Sequence, residues 1–221
     1  MAADKVRLMT EPAFVTETRT AYDTVADSYA EQLRDLLDES PWDRAMLSTF
    51  AELVGKSGPV GDLGCGPGRL TGYLASLGLD VFGVDLSPGM VGAARRAHPG
   101  LRFEVGSLAA LDLPDGSLAG AVAWYSLIHT PTAELPAVMA ELARVLAPGG
   151  RLLTGFQVGD ECLRITQGYG HDVALDAYRL PPDFVAGLCA AAGLVVEARV
   201  VREPQPPEKT PQAYLLARKP G

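Results

Sequence analysis

The sequence predicts a doubly wound α/β domain: a mostly parallel seven-stranded sheet with helices on both faces and an antiparallel last strand. Three observations carry that expectation. Beyond residue 59, short apolar runs alternate with helical stretches across short links, the order that gives a parallel sheet covered on both faces. A glycine-rich loop, Gly64-Cys65-Gly66-Pro67-Gly68, follows the first of those runs. The last two apolar runs are joined only by a Pro-rich loop, which suits antiparallel neighbours rather than a crossover.

The elements follow in order. Residues 1–19 are expected to form a flexible lead-in. Tyr22, Val25, Ala26, Tyr29, Leu33, Leu36 and Leu37 then recur at helical spacing and define one amphipathic face. Ser40-Pro41 starts a second helix, with Leu47, Phe50 and Val54 turned inward and a stop near Gly55. Strands are expected at 60–63, 81–84, 101–105, 119–125, 151–156, 194–201 and 213–218. Helices are expected at 70–77, 87–97, 134–146 and 182–192. Ser87-Pro88 suits a helix start, and Gly78 a helix stop. Residues 157–181 form a long insertion at the edge of the sheet where ligands bind, a place where substrate pockets arise. No repeat or linker divides the chain, so residues 20–221 are expected to be one domain, with its N-terminal helices (20–55) acting as a lid.

Composition narrows the function. The 221 residues are 48% hydrophobic and 21% charged, enough for a buried core and unlike a disordered chain. No apolar run approaches the roughly 18 residues of a membrane span. The first residues, Met1-Ala2-Ala3-Asp4-Lys5-Val6-Arg7, lack the apolar block of a signal peptide. A cytoplasmic protein without a membrane partner is expected. Net charge is −8 and the basic residues are scattered, Arg95-Arg96 being the densest, so no nucleic-acid partner is expected. Cys65, Cys162 and Cys189 are odd in number and far apart, and HExxH spacing is absent; neither disulfides nor a metal are expected.

The glycine loop is the informative stretch. A dinucleotide fingerprint, Gly-x-Gly-x-x-Gly, would place its third glycine at position 69. Position 69 is Arg, and the third glycine comes one residue earlier, at Gly68. Asp62 precedes the first glycine by two residues. A carboxylate there repels a diphosphate and attracts an ammonium group. The loop therefore favours a cationic, phosphate-free nucleoside ligand over a nicotinamide dinucleotide.

Asp62-x-Gly64-x-Gly66-x-Gly68 resembles the first motif of class I S-adenosylmethionine-dependent methyltransferases. Val81-Phe82-Gly83-Val84-Asp85-Leu86-Ser87-Pro88-Gly89-Met90 is similar to that family's second strand, its acidic end and the next helix. Ala121-Val122-Ala123-Trp124-Tyr125-Ser126-Leu127-Ile128-His129 is similar to the fourth strand and its exit. Residues 141–152 match the helix, turn and strand that follow, and the likeness extends over roughly residues 20–218.

The resemblance implies a Rossmann-like methyltransferase fold. It also implies S-adenosyl-L-methionine as cofactor, S-adenosyl-L-homocysteine as product, and in-line transfer of a methyl group to oxygen or nitrogen of a small molecule. Asp62 would hold the methionine ammonium; Gly64, Cys65 and Gly66 would bring the backbone close to the methionine part. Asp85 would accept from the ribose hydroxyls, with helix capping as its plainer role. Leu86 and Met90 would flank the adenine, and the Leu108 backbone N–H would read its edge. Ser107 stands where the family often has Asp. Tyr22 and Tyr29, on a segment resembling the family's lid helix, would close over the cofactor; as plain core residues they would only pack. Trp124 and Tyr125 end a central strand near the expected methyl-transfer point and are candidates for the cofactor and the acceptor respectively; since strand neighbours face opposite ways, the plainer reading has one of them only packed beneath the sheet edge. His129 is the candidate general base, with a structural hydrogen bond as the alternative. His171, Tyr178 and Arg179 in the insertion are candidate acceptor contacts; an exposed Arg179 is the plainer reading. Two other functional classes stand beside this one: a non-catalytic S-adenosylmethionine-binding protein, which would keep Asp62 and Asp85, and a nicotinamide-dependent oxidoreductase, which would share the fold but is opposed by Arg69 and Asp62.

Overall fold

The computed structural model describes residues 11–221; residues 1–10, where most of the expected lead-in falls, lie outside the described residues. The first helix, α1 (Ala13–Gln32), begins earlier than the expected residue 20. Pro12 stands directly before its first turn, and buried Val15 extends the inward stripe of Ala21, Val25 and Ala26. Residues 13–19 are therefore helix rather than lead-in. The chain tightens after Gln32, with Arg34 N–H bonded to Glu31 O and Leu36 N–H to Leu33 O. That turn splits the single helix expected over 22–37 into α1 and the short α2 (Leu36–Glu39). Helix α3 (Pro41–Val54) follows, with Pro in its first turn and Gly55 at its end.

The sheet is built from β1 (Val60–Leu63), β2 (Val81–Asp85), β3 (Phe103–Val105), β4 (Leu118–Trp124), β5 (Leu146–Gln157), β8 (Val195–Arg202) and β9 (Gln212–Arg218), in the order β3-β2-β1-β4-β5-β9-β8. Strand β9 runs antiparallel between β5 and β8, and the other pairings are parallel. The predicted fold class is the observed one. Helices α4 (Arg69–Ser76), α5 (Pro88–Ala97), α6 (Leu135–Val145) and α7 (Pro182–Ala191) connect the strands. All four residues of β1 are buried, as a central parallel strand requires. Phe50, Leu47 and Leu74 pack on one face of the sheet; Leu142, Phe156 and Leu188 pack on the other. The strand order reverses between β1 and β4, so the crevice at their carboxyl ends is the switch point where such sheets take ligands.

The insertion over 157–181 holds a hairpin of β6 (Cys162–Gly168) and β7 (His171–Tyr178). Its two-residue loop, Tyr169-Gly170, has φ of 53° and 86°, the positive values a type I′ turn demands at both central positions. The hairpin docks on α1: Ser28 Oγ lies 2.9 Å from His171 Nε2, and the Tyr29 and Tyr169 rings are 4.7 Å apart. Arg164 reaches Glu17 at 3.0 Å. Helix α1 and the hairpin thus form one cover over the crevice. Among the described residues, no helix is long and apolar enough to cross a membrane.

Candidate active site

A cavity of about 630 Å³ runs along the carboxyl edge of the sheet beneath that cover. Its walls include the glycine loop and Asp85 at one end, and Asp43, Gln157, Arg202, Glu208 and Gln212 at the other.

The first end is built by backbone. Gly64 (φ 85°) turns the chain off β1 so closely that a Cβ there would overlap the Ser126 side chain. Gly68 (φ 81°) opens α4 in a left-handed conformation. Asp62, on β1, is 1% exposed. Its Oδ2 accepts from Thr71 Oγ1 at 2.6 Å, while Oδ1 is buried with no partner among the described residues. Burial lifts its pKa to about 6, against the pull of the Thr71 hydrogen bond. Asp85, at the end of β2, accepts from Gly66 N–H (2.8 Å) through Oδ2 and from Ser87 N–H (2.9 Å) through Oδ1. Burial also raises the Asp85 pKa, and those backbone donors oppose it. The cap of α5 is Ser87, whose Oγ accepts from Met90 N–H at 3.0 Å, so Asp85 is not spent on capping. Cys65 packs its buried thiol against Val91, Ala94 and Phe103, which pushes its pKa well up.

Tyr22, Tyr29, Leu86, Met90, Ser107, Leu108, Trp124, Tyr125 and His129 also line the cavity. Met90 is 1% exposed and packs on Val25 and Ala26 of α1. Asp23, which no motif marks, ties α1 to α5 by accepting from Ser87 Oγ (2.5 Å) and Gly89 N–H (2.9 Å). Trp124 stacks on Tyr214 at 5.1 Å. Tyr125 has φ of 53°, a strained value for a non-glycine residue, and its hydroxyl donates to Gln212 Oε1 at 2.8 Å.

His129 sits in a 3-10 turn (Leu127–His129) just past β4. Its Nδ1 is 2.9 Å from the Asp176 carbonyl, which can only accept, so Nδ1 carries the proton. Nε2 therefore accepts from Tyr22 Oη, 2.6 Å away. Burial holds the imidazole below its ordinary pKa and favours this neutral form.

Three expected acceptor residues stand outside the cavity wall. His171 is engaged with Ser28, and Arg179 with Glu161 at 3.3 Å. Tyr178 packs partly buried against the core. Of the hairpin, Tyr169 in the turn is the residue in the wall, its ring against Tyr29 of α1. The glycines on either side, Gly168 and Gly170, are the turn signal that the sequence offers there. Arg69 also lines the cavity, its Nη1 3.3 Å from Leu33 O. At the far end Arg202 meets Glu208 through two 2.6 Å contacts. Its Nε donates to Tyr214 Oη at 3.0 Å, and that hydroxyl donates to Asp43 at 2.7 Å. Nothing in local spacing marks this network.

Residues 60–150, which hold the glycine loop, Asp85 and His129, match the family described as methyltransferase domain. The part of the chain that builds the glycine-loop end of the cavity is thus similar to methyltransferase domains. A trans-aconitate 2-methyltransferase from Methylobacterium nodulans is 35% identical over 173 residues, covering 76% of this chain and 62% of the relative. A demethylmenaquinone methyltransferase from Beutenbergia cavernae is 34% identical over 135 residues, covering 60% of this chain and 54% of the relative. The chain thus spans less than two thirds of the length of these curated relatives. The crystal structure of Burkholderia thailandensis 1,6-didemethyltoxoflavin-N1-methyltransferase, holding 1,6-didemethyltoxoflavin and S-adenosylhomocysteine, superposes with a TM-score of 0.70. It covers 96% of this chain and 92% of its own, and at 21% identity it speaks for the methyltransferase fold.

Proposed function

We propose that the chain is an S-adenosyl-L-methionine-dependent methyltransferase that methylates oxygen or nitrogen of a small molecule in the cytoplasm. The observation that carries this reading is Asp62: a buried carboxylate beside the glycine loop with one oxygen unpartnered among the described residues. An isolated buried carboxylate is costly, and a ligand ammonium group offsets that cost. A diphosphate would raise it. The donor set therefore fits an adenosyl amino acid and not a nicotinamide dinucleotide.

When bound, the cofactor supplies an electrophilic methyl group on its sulfonium. The chain's residues bind and orient. Asp62 would hold the ammonium, and the Gly64–Gly66 backbone would border the methionine part. Asp85, already fixed by Gly66 and Ser87, would accept from the ribose hydroxyls; hydrogen bonds to a charged acceptor contribute about 1.5–3 kcal/mol each. Leu86 and Met90 would border the adenine, with Ser107 and the Leu108 N–H at its edge and Cys65 and Trp124 nearby in the wall. Arg69, opening α4 just after the loop, complements a carboxylate. Tyr22 and Tyr29, with Tyr169, would cover the cofactor and exclude water, and Tyr125 would face the acceptor. Holding the acceptor in line is worth effective molarities of about 10⁵–10⁸ M. Where the acceptor carries a proton, His129 would receive it at Nε2, through Tyr22 Oη or in its place.

Calorimetric titration with S-adenosylmethionine, S-adenosylhomocysteine and NAD tests the reading. Binding of both adenosyl sulfur compounds, with none of NAD, is expected. Binding of NAD alone would favour an oxidoreductase, and binding without turnover of any acceptor would favour the non-catalytic alternative.

A further inference from the structure

The strand order separates two functions along the cavity. The glycine loop and Asp85 lie over β1 and β2, while Arg202 ends β8 and Gln212 begins β9, on the opposite side of the switch point. On the methyltransferase reading, the β5-β9-β8 side is left for the acceptor. Among the described residues, the whole cavity wall carries two guanidinium groups, Arg69 and Arg202, against five carboxyl groups. Arg69 stands at the cofactor end. Arg202 is the single guanidinium at the acceptor end among the described residues, and its side chain is only 9% exposed. Glu208 holds both its terminal nitrogens, and Tyr214 Oη and the Glu203 carbonyl take two further donors. Glu208 is itself fixed, accepting from Gln205 N–H at 2.7 Å. Two further polar groups at this end are occupied: Asp43 accepts from Tyr214, and Gln212 from Tyr125. Phe14, Val15, Leu36 and Ile128 supply apolar wall.

We propose that the acceptor end takes an uncharged, largely apolar acceptor and rejects carboxylates, with the Arg202–Glu208 pair as the element that sets this preference. An anionic acceptor would lose its hydration beside a surplus of carboxyl groups and find the local cation already neutralised. Glu208 acts on specificity through Arg202: it withholds a charge that would otherwise recruit anions. Specificity built by withholding a partner is as effective as specificity built by adding one.

The inference rests on the methyltransferase reading, and its test separates the two. With the site saturated by S-adenosylhomocysteine at pH 7, 1-naphthol and 1-naphthoate, equal in shape and different in charge, are titrated by quenching of tryptophan fluorescence and by calorimetry. The naphthol is expected to bind at least tenfold more tightly. Equal or tighter binding of the naphthoate overturns the proposal, as does absence of naphthol binding up to its solubility limit. In Glu208→Gln the ratio is expected to fall to threefold or less, because Arg202 is released. An unchanged ratio in a variant that keeps its S-adenosylhomocysteine affinity would remove the pair from the proposal. Should Glu208→Gln fail to fold, the comparison on the unaltered protein still decides. Failure of S-adenosylhomocysteine to bind at all would instead strike the methyltransferase reading itself.

Discussion

The two ends of the cavity are built by different means. At the cofactor end, contacts are short in sequence: Thr71 to Asp62 spans nine residues, and Gly66 to Asp85 nineteen. Most of the positioning is done by backbone, at glycines that need positive φ and at N–H groups that fix a carboxylate. At the far end, the proposed acceptor end, Tyr214 reaches Asp43 across 171 residues, and Tyr125 reaches Gln212 across 87. Those contacts exist only because β8 and β9 return to the sheet beside β5. A site written in backbone conformation leaves a spacing in the sequence; one written in long-range side-chain contacts leaves none.

Substitutions can break the two ends separately. Gly64→Ala is expected to have the largest effect, since its Cβ would overlap Ser126 in a conformation that disfavours any side chain. A loss of about 3 kcal/mol or more is expected in denaturant unfolding, together with loss of S-adenosylhomocysteine binding. Asp85→Ala should leave the fold intact and weaken S-adenosylhomocysteine by about 100-fold or more, as two hydrogen bonds to a charged acceptor are lost. A loss of less than tenfold by calorimetry would assign the ribose to another residue.

Asp62→Asn should separate stability from binding. The Asp62 pKa is raised in the folded protein from 3.8 to about 6, so the fold holds this proton more tightly than the unfolded chain does. The stability this gives is present below about pH 4 and is lost as pH rises through 6, a cost of up to about 3 kcal/mol at neutral pH. The amide recovers part of it, so unfolding at pH 7 should need more denaturant, while S-adenosylhomocysteine affinity falls by about 30-fold. A variant that is less stable at pH 7 would contradict the unpartnered oxygen. The smallest effect belongs to the acceptor end. Tyr214→Phe removes the donor to Asp43 and should cost about 1–2 kcal/mol of stability. S-adenosylhomocysteine affinity should stay within threefold; a larger change would show that the two ends are not separable.

The same contrast explains what was legible before the structure. The order of the seven sheet strands and their connecting helices from Val60 to Arg218 is legible in apolar runs and in Gly and Pro punctuation, because β1, β4 and α6 are buried elements with strong patterns. The start of α1 at Ala13 was missed because its first turn buries only Val15. The hairpin over 162–178 was missed because β6 exposes most of its residues and shows little alternation. Tyr22 and His129 were singled out from separate segments, but their 2.6 Å contact depends on how α1 crosses the sheet edge. Only their place in the insertion points to His171, Tyr178 and Arg179. The docking of the turn on α1 puts Tyr169 in the wall instead.

The most direct test of the central claim, that the cofactor end is a carboxylate awaiting a cation, is the pH dependence of S-adenosylhomocysteine affinity in the unaltered protein and in Asp62→Asn. Calorimetry from pH 5 to pH 8 should show affinity rising by roughly tenfold per unit below about pH 6 and level above it. The Asn variant should be weaker and flat. Identical profiles in the two proteins would contradict the account, because the ligand would then bind without using the charge that the fold has buried for it.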